Sequence, residues 1–138
     1  MLRYLLDTNM LSEACKPQPD TKVLDKLTQN NKVSALAAQT VYELQRGVLL
    51  LDAGRRRDYI AHYIEGIQAT LPILPYDEAA ACWQAAETVR LKSLGITPSF
   101  VDMQIAAVAV VNGLILVTRN TQDFQHFNDL ILENWFNA

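Results

Sequence analysis

The stretch "RYLLDTN" (residues 3–9) decides the class of fold. Its apolar run has the length of one buried strand, and it stops at Asp7. The following "TNMLSEA" (residues 8–14) has the pattern of a short helix that ends before Pro17. A buried strand joined directly to a helix is the first half of a βα unit. The stretch therefore predicts a parallel sheet with a carboxylate at the end of its first strand.

Beyond residue 14 the chain alternates between short apolar strands and helices. Strands are predicted at "KVSAL" (32–36), "PILPY" (72–76), "LILVT" (114–118) and, at the sheet edge, "DLILENW" (129–135). Helices are predicted over residues 21–29, 38–54, 55–71, 77–94 and 99–112, with Asp77 as an N-cap and Gly95 as a terminator. This alternation predicts a single α/β domain over residues 1–138, a three-layer α/β/α sandwich with a mostly parallel central sheet.

Composition narrows the class of protein. Half of the residues are hydrophobic and a fifth are charged, which excludes a disordered chain. Cys15 and Cys82 are the only cysteines, so neither a disulfide framework nor a zinc site is indicated, and a reducing, cytoplasmic location is expected. No signal peptide is indicated, and the longest apolar stretch, residues 105–117, is shorter than the roughly 18 residues of a membrane span, so no membrane partner is expected.

Four acidic residues fall where a parallel sheet would place a site. They are Asp7 after the first strand, Glu43 and Asp102 near helix starts, and Asp123 after the strand "LILVT". Each also has a purely structural explanation. Asp7 is a suitable N-cap, "TVYE" (40–43) and "SFVD" (99–102) fit capping boxes, and Asp123 suits a turn.

The common position of these acids favours a shared site. The carboxyl ends of parallel strands meet at one edge of the sheet, and both helix-borne acids are expected in first turns, so the carboxylates should converge. Two carboxylates about 4 Å apart repel by roughly 4 kcal/mol at an effective dielectric constant near 20, and a divalent cation removes this repulsion. The only histidines, His62 and His126, are not beside the acids in sequence, which favours Mg²⁺ or Mn²⁺ over zinc.

A carboxylate-held metal indicates phosphodiester chemistry, because Mg²⁺ completes its coordination with waters and substrate phosphate oxygens. The formal net charge of −3 argues weakly against a nucleic-acid partner. That argument loses force where several acids face a cation rather than solvent.

Four motifs in order resemble the PIN-domain nucleases, and most of all the VapC-type toxins of bacterial toxin–antitoxin operons with their FitB-like relatives. The motifs are "LLDTN" (5–9), "TVYELQRG" (40–47), "SFVDMQIAAVA" (99–109) and "LVTRNTQDF" (116–124). The resemblance implies a Mg²⁺- or Mn²⁺-dependent endoribonuclease that cuts structured or messenger RNA and arrests growth until a cognate antitoxin blocks it. It also implies a homodimer, with larger toxin–antitoxin assemblies as an extension.

The resemblance assigns roles to residues of this sequence. The three principal metal-site acids match Asp7, Glu43 and Asp102, and the supporting polar positions match Thr8, Asn9 and Thr118. The last motif departs from the strictest pattern, since the acid that some relatives carry two residues after the strand is Asn120 here, and the acid comes at Asp123. Asn120 offers a neutral oxygen, and Asp123 is expected to bind through water.

Basic and aromatic residues suggest where RNA and a partner would bind. Arg46, about one helical turn after Glu43, and Arg119 in the "TRN" loop are candidates for phosphate contacts, although a solvated arginine is the alternative for each. In VapC-like proteins, helices equivalent to residues 55–71 help to form a dimer and a groove for an antitoxin helix. Exposure of Tyr59 or Tyr63 would favour such a partner site.

Three other functions are weighed against the nuclease. A receiver-type signalling module would need an acid pair after the first strand and a Lys after "LILVT", and the sequence has neither. A phosphatase with an Asp nucleophile would usually carry an acid where Asn9 stands. A catalytically weak PIN-fold protein that only binds RNA or a partner stays open because of Asn120.

Overall fold

Five strands form one sheet in the computed structural model, which describes residues 1–137, without the side chain of Asn137. The strands are β1 (Tyr4–Leu6), β2 (Ser34–Ala37), β3 (Ile73–Leu74), β4 (Ile115–Val117) and β5 (Leu132–Glu133). Their order is β3-β2-β1-β4-β5, and every pairing is parallel. The predicted sheet is confirmed, including its last edge strand. Of the predicted domain, Ala138 lies outside the described residues.

Seven helices connect and cover these strands. They are α1 (Thr8–Glu13), α2 (Thr21–Gln29), α3 (Ala38–Leu49), α4 (Arg55–Thr70), α5 (Glu78–Ser93), α6 (Phe100–Val111) and α7 (Thr121–Phe124). Short 3-10 turns occupy Asn31–Val33 and Trp135–Asn137. Every strand is thus followed by a helical segment, as a parallel sheet requires.

Alternate residues of the strands pack into two separate cores. Leu5 and Leu116 contribute to the core beneath α5 and α6, whereas Leu6 and Val117 contribute to the core beneath α1 to α4. This alternation follows from the two-residue period of side chains along a strand. Because both faces are covered by helices, the predicted three-layer α/β/α architecture is confirmed.

Helix α5 begins and ends close to the predicted positions. The Asp77 carboxylate accepts a hydrogen bond from the Ala80 backbone N–H at 2.9 Å, which caps α5. Gly95 follows α5 with a φ of 75°, a left-handed conformation that favours glycine. The predicted N-cap and terminator of this helix are confirmed.

Two boundaries differ from the predictions. Helix α3 ends at Leu49 rather than near Gly54, because Val48 is its last buried residue and the helix has no further core to cover. The segment "TQDF", predicted as part of a loop, forms the single helical turn α7, in which the Asp123 backbone N–H donates to the Asn120 carbonyl at 3.0 Å. One helical turn is too short for a periodic apolar pattern to reveal it.

An ion pair on α5, between the buried Glu87 and the partly exposed Arg90, holds the loop between α7 and β5. The Glu87 carboxylate accepts from Arg90 Nε at 2.7 Å and from Arg90 Nη2 at 2.8 Å, and its Oε2 also accepts from the Asn128 backbone N–H at 2.9 Å. Arg90 Nη2 donates in turn to the His126 carbonyl at 2.7 Å. The arginine hydrogen bonds lower the pKa of Glu87 below its ordinary value. The Glu87–Arg90 pair therefore fixes the backbone on both sides of Phe127.

We expect Glu87→Gln to reduce the free energy of unfolding at neutral pH by about 1 kcal/mol, because it weakens the hydrogen bonds that the Glu87 carboxylate accepts from Arg90 and from the Asn128 backbone N–H. The lowered pKa of Glu87 means that its stabilising contribution is present above the ordinary value of 4.5 and is lost as pH falls through the folded-state value. The difference between variant and wild type should therefore shrink in acid. Urea unfolding at a series of pH values measures it, with the exposed Glu65→Gln as the control. Equal stabilities at neutral pH would contradict the expectation.

Candidate functional site

Asp7 lies at the carboxyl end of β1, where its backbone N–H donates to the Val117 carbonyl at 2.9 Å. Its Oδ1 accepts from the Thr8 backbone N–H at 2.9 Å, so Asp7 is also the N-cap of α1, as the structural explanation predicted. Its Oδ2 accepts from the Thr118 hydroxyl at 2.9 Å and from Asn9 Nδ2 at 3.3 Å. The carboxylate is therefore both buried and held in one orientation.

Asn9 and Thr118 connect the end of β1 with the end of β4. Asn9 Nδ2 donates to the Thr118 hydroxyl oxygen at 3.3 Å, and Asn9 Oδ1 accepts from the Arg119 backbone N–H at 3.1 Å. The Thr118 oxygen also accepts from the Asn120 backbone N–H at 3.0 Å. The structure thus brings the predicted supporting residues together, with Asn120 participating through its backbone rather than its side chain.

Glu43 is held by Thr8, not by a capping box. Helix α3 begins at Ala38 without a side-chain cap, so Glu43 lies in its second turn, and the predictions of a Thr40 cap and a first-turn Glu43 are wrong. The Thr40 hydroxyl is buried with no hydrogen-bond partner among the described residues. Instead, Glu43 Oε1 accepts from the Thr8 hydroxyl at 2.7 Å. Thr8 therefore contacts Asp7 through its amide and Glu43 through its side chain.

Asp102 lies in the first turn of α6, as predicted. Its backbone N–H donates to the Ser99 hydroxyl at 3.3 Å, which caps the helix. Burial, and then the negative charges of Asp7, Asp123 and Glu43, raise the pKa of Asp102 to about 6. Since these three carboxylates act on Asp102 through space, the structure brings all four predicted acids into one neighbourhood.

The charged form of Asp7 is also disfavoured by its surroundings. Burial raises the pKa of Asp7 above its ordinary value, outweighing the opposing hydrogen bonds, and the Asp123 charge raises it further. The side chain is 7% exposed, so solvent offers the carboxylate little compensation. A cation or a proton at this position would compensate for these surroundings.

The donor set fits a hard divalent cation. It consists of carboxylates with nearby hydroxyl and amide oxygens, the ligands of Mg²⁺ and Mn²⁺. Within residues 1–137, no three His, Cys, Asp or Glu side chains stand together as a ready-made metal cage. Mg²⁺ does not require such a cage, because it uses one or two direct carboxylates and keeps several waters. Of the four acids, Asp7, Asp102 and Glu43 could hold such an ion directly, and Asp123 could contact it through water.

Sequence reasoning overlooked a histidine beside this site. A cleft of about 400 Å³, which we name the His126 cleft, is lined by Asp102, Asp123 and His126 together with Ile96, Pro98 and Ser99. His126 therefore shares a cleft with two of the acids, which was not predicted from the sequence. The chain returns toward the site after α7, and only the placement of that loop reveals the proximity.

The two candidate arginines lie on different surfaces. The guanidinium carbon of Arg119 is 4.5 Å from the centre of the Phe136 ring, and Arg119 lines a polar cleft of about 310 Å³ together with Asn120 and Asp123. Arg46 lines a separate apolar depression with Tyr42. The structure thus places Arg119 in one cleft with Asp123, whereas the depression lined by Arg46 includes none of the four acids.

An apolar groove runs from the site between α1, α3 and α4. This α3–α4 groove, of about 350 Å³, begins at Thr8 and Glu43 and is lined further along by Leu44, Val48, Ile60, Ile64, Lys16 and Arg56. Near it on α4, Tyr59 is 64% exposed. Tyr63 is partly buried, and burial raises the pKa of Tyr63 to about 12. The exposure of Tyr59 therefore favours a partner site on this helix, as expected from the sequence.

No helix in the described part of the chain combines the length and the apolar character needed to cross a bilayer.

Known proteins match this chain over nearly its full length. The PIN domain family model matches residues 4–130. Toxin FitB from Neisseria gonorrhoeae is 35% identical over 139 residues, covering 95% of this chain and 97% of that protein. VapC ribonuclease Y4jK from Sinorhizobium fredii is 34% identical over 137 residues, covering 95% and 96%. The crystal structure of FitAcB from Neisseria gonorrhoeae superposes with a TM-score of 0.89 at 33% identity, covering 98% of this chain and 99% of that one.

Proposed function

The chain belongs to the PIN-domain family, and from this premise we propose that it is a metal-dependent endoribonuclease that acts as the toxin of a type II toxin–antitoxin pair. Relatives that match almost end to end bear the names ribonuclease and toxin. The observation that carries the proposal is the Asp7 carboxylate fixed at the end of β1 by Thr8 and Thr118, with Thr8 also holding Glu43. Asp102 lies close enough for the charges of Asp7, Asp123 and Glu43 to add to the effect of burial in raising its pKa.

The metal ion would be held by Asp7, Asp102 and Glu43, with Asp123 completing the site through water. When bound, Mg²⁺ or Mn²⁺ supplies an activated water and stabilises the charge on the departing oxygen. The protein's own residues fix the geometry. Thr118 and Asn9 orient Asp7, and the buried surroundings of Asp7 exclude bulk water.

Arg119 is the better placed of the two phosphate-binding candidates. It lies next to Asp123 in a polar cleft, and its guanidinium is supported by the Phe136 ring. A guanidinium beside the acids would bind a phosphate of the RNA strand and offset the local negative charge. For Arg46, the role in RNA binding stays a prediction from the sequence.

The cognate antitoxin would occupy the α3–α4 groove. The groove is apolar along its length, carries the basic Lys16 and Arg56 on its walls, and opens at Glu43. An amphipathic helix laid into it would bury its apolar face, and a basic side chain at its end would neutralise the acids. The homodimer and the cytoplasmic location stay predictions, the latter in keeping with the exposed free thiol of Cys82.

Cleavage of a defined RNA panel tests the proposed function. Purified, antitoxin-free protein is incubated with tRNAs and synthetic hairpin RNAs in Mg²⁺, Mn²⁺ or EDTA, and the products are separated on sequencing gels. We expect discrete cuts that require the metal. Protein that is folded and binds Mn²⁺ but cuts none of these RNAs would overturn the proposal.

Thr8→Val is expected to lower the cleavage rate between about 10-fold and 100-fold, the usual cost of losing a group that orients a metal ligand. The valine keeps the shape of the side chain and the backbone N–H to Asp7, and it removes only the 2.7 Å hydrogen bond to Glu43. Single-turnover cleavage measures the effect. Thr28→Val, on the exposed side of α2, is the matched control. A Thr8→Val enzyme as fast as this control would show that Glu43 needs no such support.

A further inference from the structure

The His126 cleft is an unassigned surface that is continuous with the acid site. Its volume of about 400 Å³ falls within the range of pockets that accept drug-sized groups, which includes a nucleoside. Its lining combines the carboxylates of Asp102 and Asp123 with the apolar side chains of Ile96 and Pro98. A strand cut at the acids would therefore have a neighbouring nucleotide within reach of this cleft.

His126 is an exposed hydrogen-bond donor of the cleft, as is Thr97. An imidazole ring carries at least one N–H in either protonation state, so it can donate to a phosphate or base oxygen. Its side chain is exposed, and no hydrogen bond to the ring is made by the part of the chain that the structure describes. Beside two carboxylates that repel an RNA strand, such a donor gives the strand a favourable contact.

The backbone that carries His126 is anchored although its side chain is free. Arg90 holds the His126 carbonyl, and Glu87 holds the Asn128 N–H. Between them, Phe127 is buried, with its ring centre 6.0 Å from that of Trp83. An exposed polar side chain on a fixed backbone binds with little loss of conformational entropy, as a preorganised contact should.

We propose that the His126 cleft is a nucleotide subsite, in which His126 donates a hydrogen bond to the nucleotide next to the scissile phosphate. This rests on the proposed RNA cleavage and adds a contact to it. A base enters a side cleft only when it is unstacked and unpaired, so binding through the His126 cleft requires an unpaired nucleotide beside the cut.

RNA binding without catalysis provides the first test. In the Asp7→Asn background and in EDTA, fluorescence anisotropy measures binding of a labelled hairpin RNA with an unpaired loop. We expect His126→Ala to weaken hairpin binding about tenfold, the usual cost of one hydrogen bond to a charged group. His126→Gln, which retains a donor, should recover most of the affinity. His62→Ala, which removes an exposed histidine on α4, is the control and should bind as the parent does.

Cleavage kinetics provide the second test. With an intact Asp7 and Mn²⁺, His126→Ala should raise KM about tenfold while kcat changes little, because the contact is made in both ground and transition state. The same hairpin annealed to its complement should show no dependence on His126. Unchanged hairpin affinity and KM in His126→Ala would overturn the subsite. Absence of metal-dependent cleavage by the wild type on the whole RNA panel would instead overturn the proposed function.

Discussion

Asp7→Asn is expected to abolish RNA cleavage while leaving the protein folded and at least as stable as the wild type without metal. The loss of activity should be at least about 100-fold, since weaker changes around metal ligands already cost that much. Stability should hold because burial penalises the charged form of Asp7, which is why its pKa is raised. Asparagine removes that charge and keeps an oxygen for the Thr8 N–H.

The opposite directions of these two effects make the experiment decisive. Single-turnover cleavage and urea unfolding in EDTA are measured on the same preparations. Asp25→Asn, on the exposed side of α2, changes the net charge equally and should leave both quantities unchanged. A folded Asp7→Asn protein with wild-type activity would remove Asp7 from the site. A strongly destabilised one would show that its carboxylate serves the fold.

Removal of the metal is expected to stop cleavage completely, and its return should stabilise the fold. Cleavage should disappear in EDTA and be restored by excess Mn²⁺ or Mg²⁺. Mn²⁺ at 100 times its dissociation constant should add about 2.7 kcal/mol to the free energy of unfolding, which corresponds to roughly 10 °C in Tm for a chain of this size. The physical reason is that the cation compensates for burial and for the neighbouring negative charges, which together raise the pKa of Asp102.

Differential scanning fluorimetry with increasing Mn²⁺ measures this stabilisation. Asp7→Asn and Asp102→Asn should lose most of the Tm increase, whereas Asp25→Asn should keep it. An equal increase in Tm in the wild type and in all three variants would place the metal elsewhere on the chain. Cleavage that continues in EDTA after the protein has been stripped of metal would contradict a metal-dependent mechanism.

The sequence predicts the sheet and the region of the site because local patterns determine both. Short apolar runs and turn residues mark the strands, and in a parallel sheet the residue after each strand lies at the same edge. That is why Asp7 and Thr118 could be placed near each other before their 2.9 Å contact was seen. The N-caps Asp77 and Ser99 follow from equally local chemistry.

The remaining details depend on contacts between distant parts of the chain. Glu43 fits a capping box by spacing, yet α3 begins at Ala38, and Glu43 bonds to Thr8, 35 residues earlier. His126 reaches the site because Glu87 and Arg90, more than 30 residues before it, hold its loop. No periodicity within one segment encodes such pairings, since they depend on how complete elements pack.

Because Asp7 is buried, cells that make this protein can acquire inactive variants that still fold. A toxin that slows its host selects for cells in which it has been disabled. Here a change of Asp7 to a neutral residue removes a buried charge, so inactive chains should accumulate to normal yield and pass every test of solubility and folding. Each preparation should therefore be checked by sequencing the expressed gene before an inactive sample is taken as a property of the wild type.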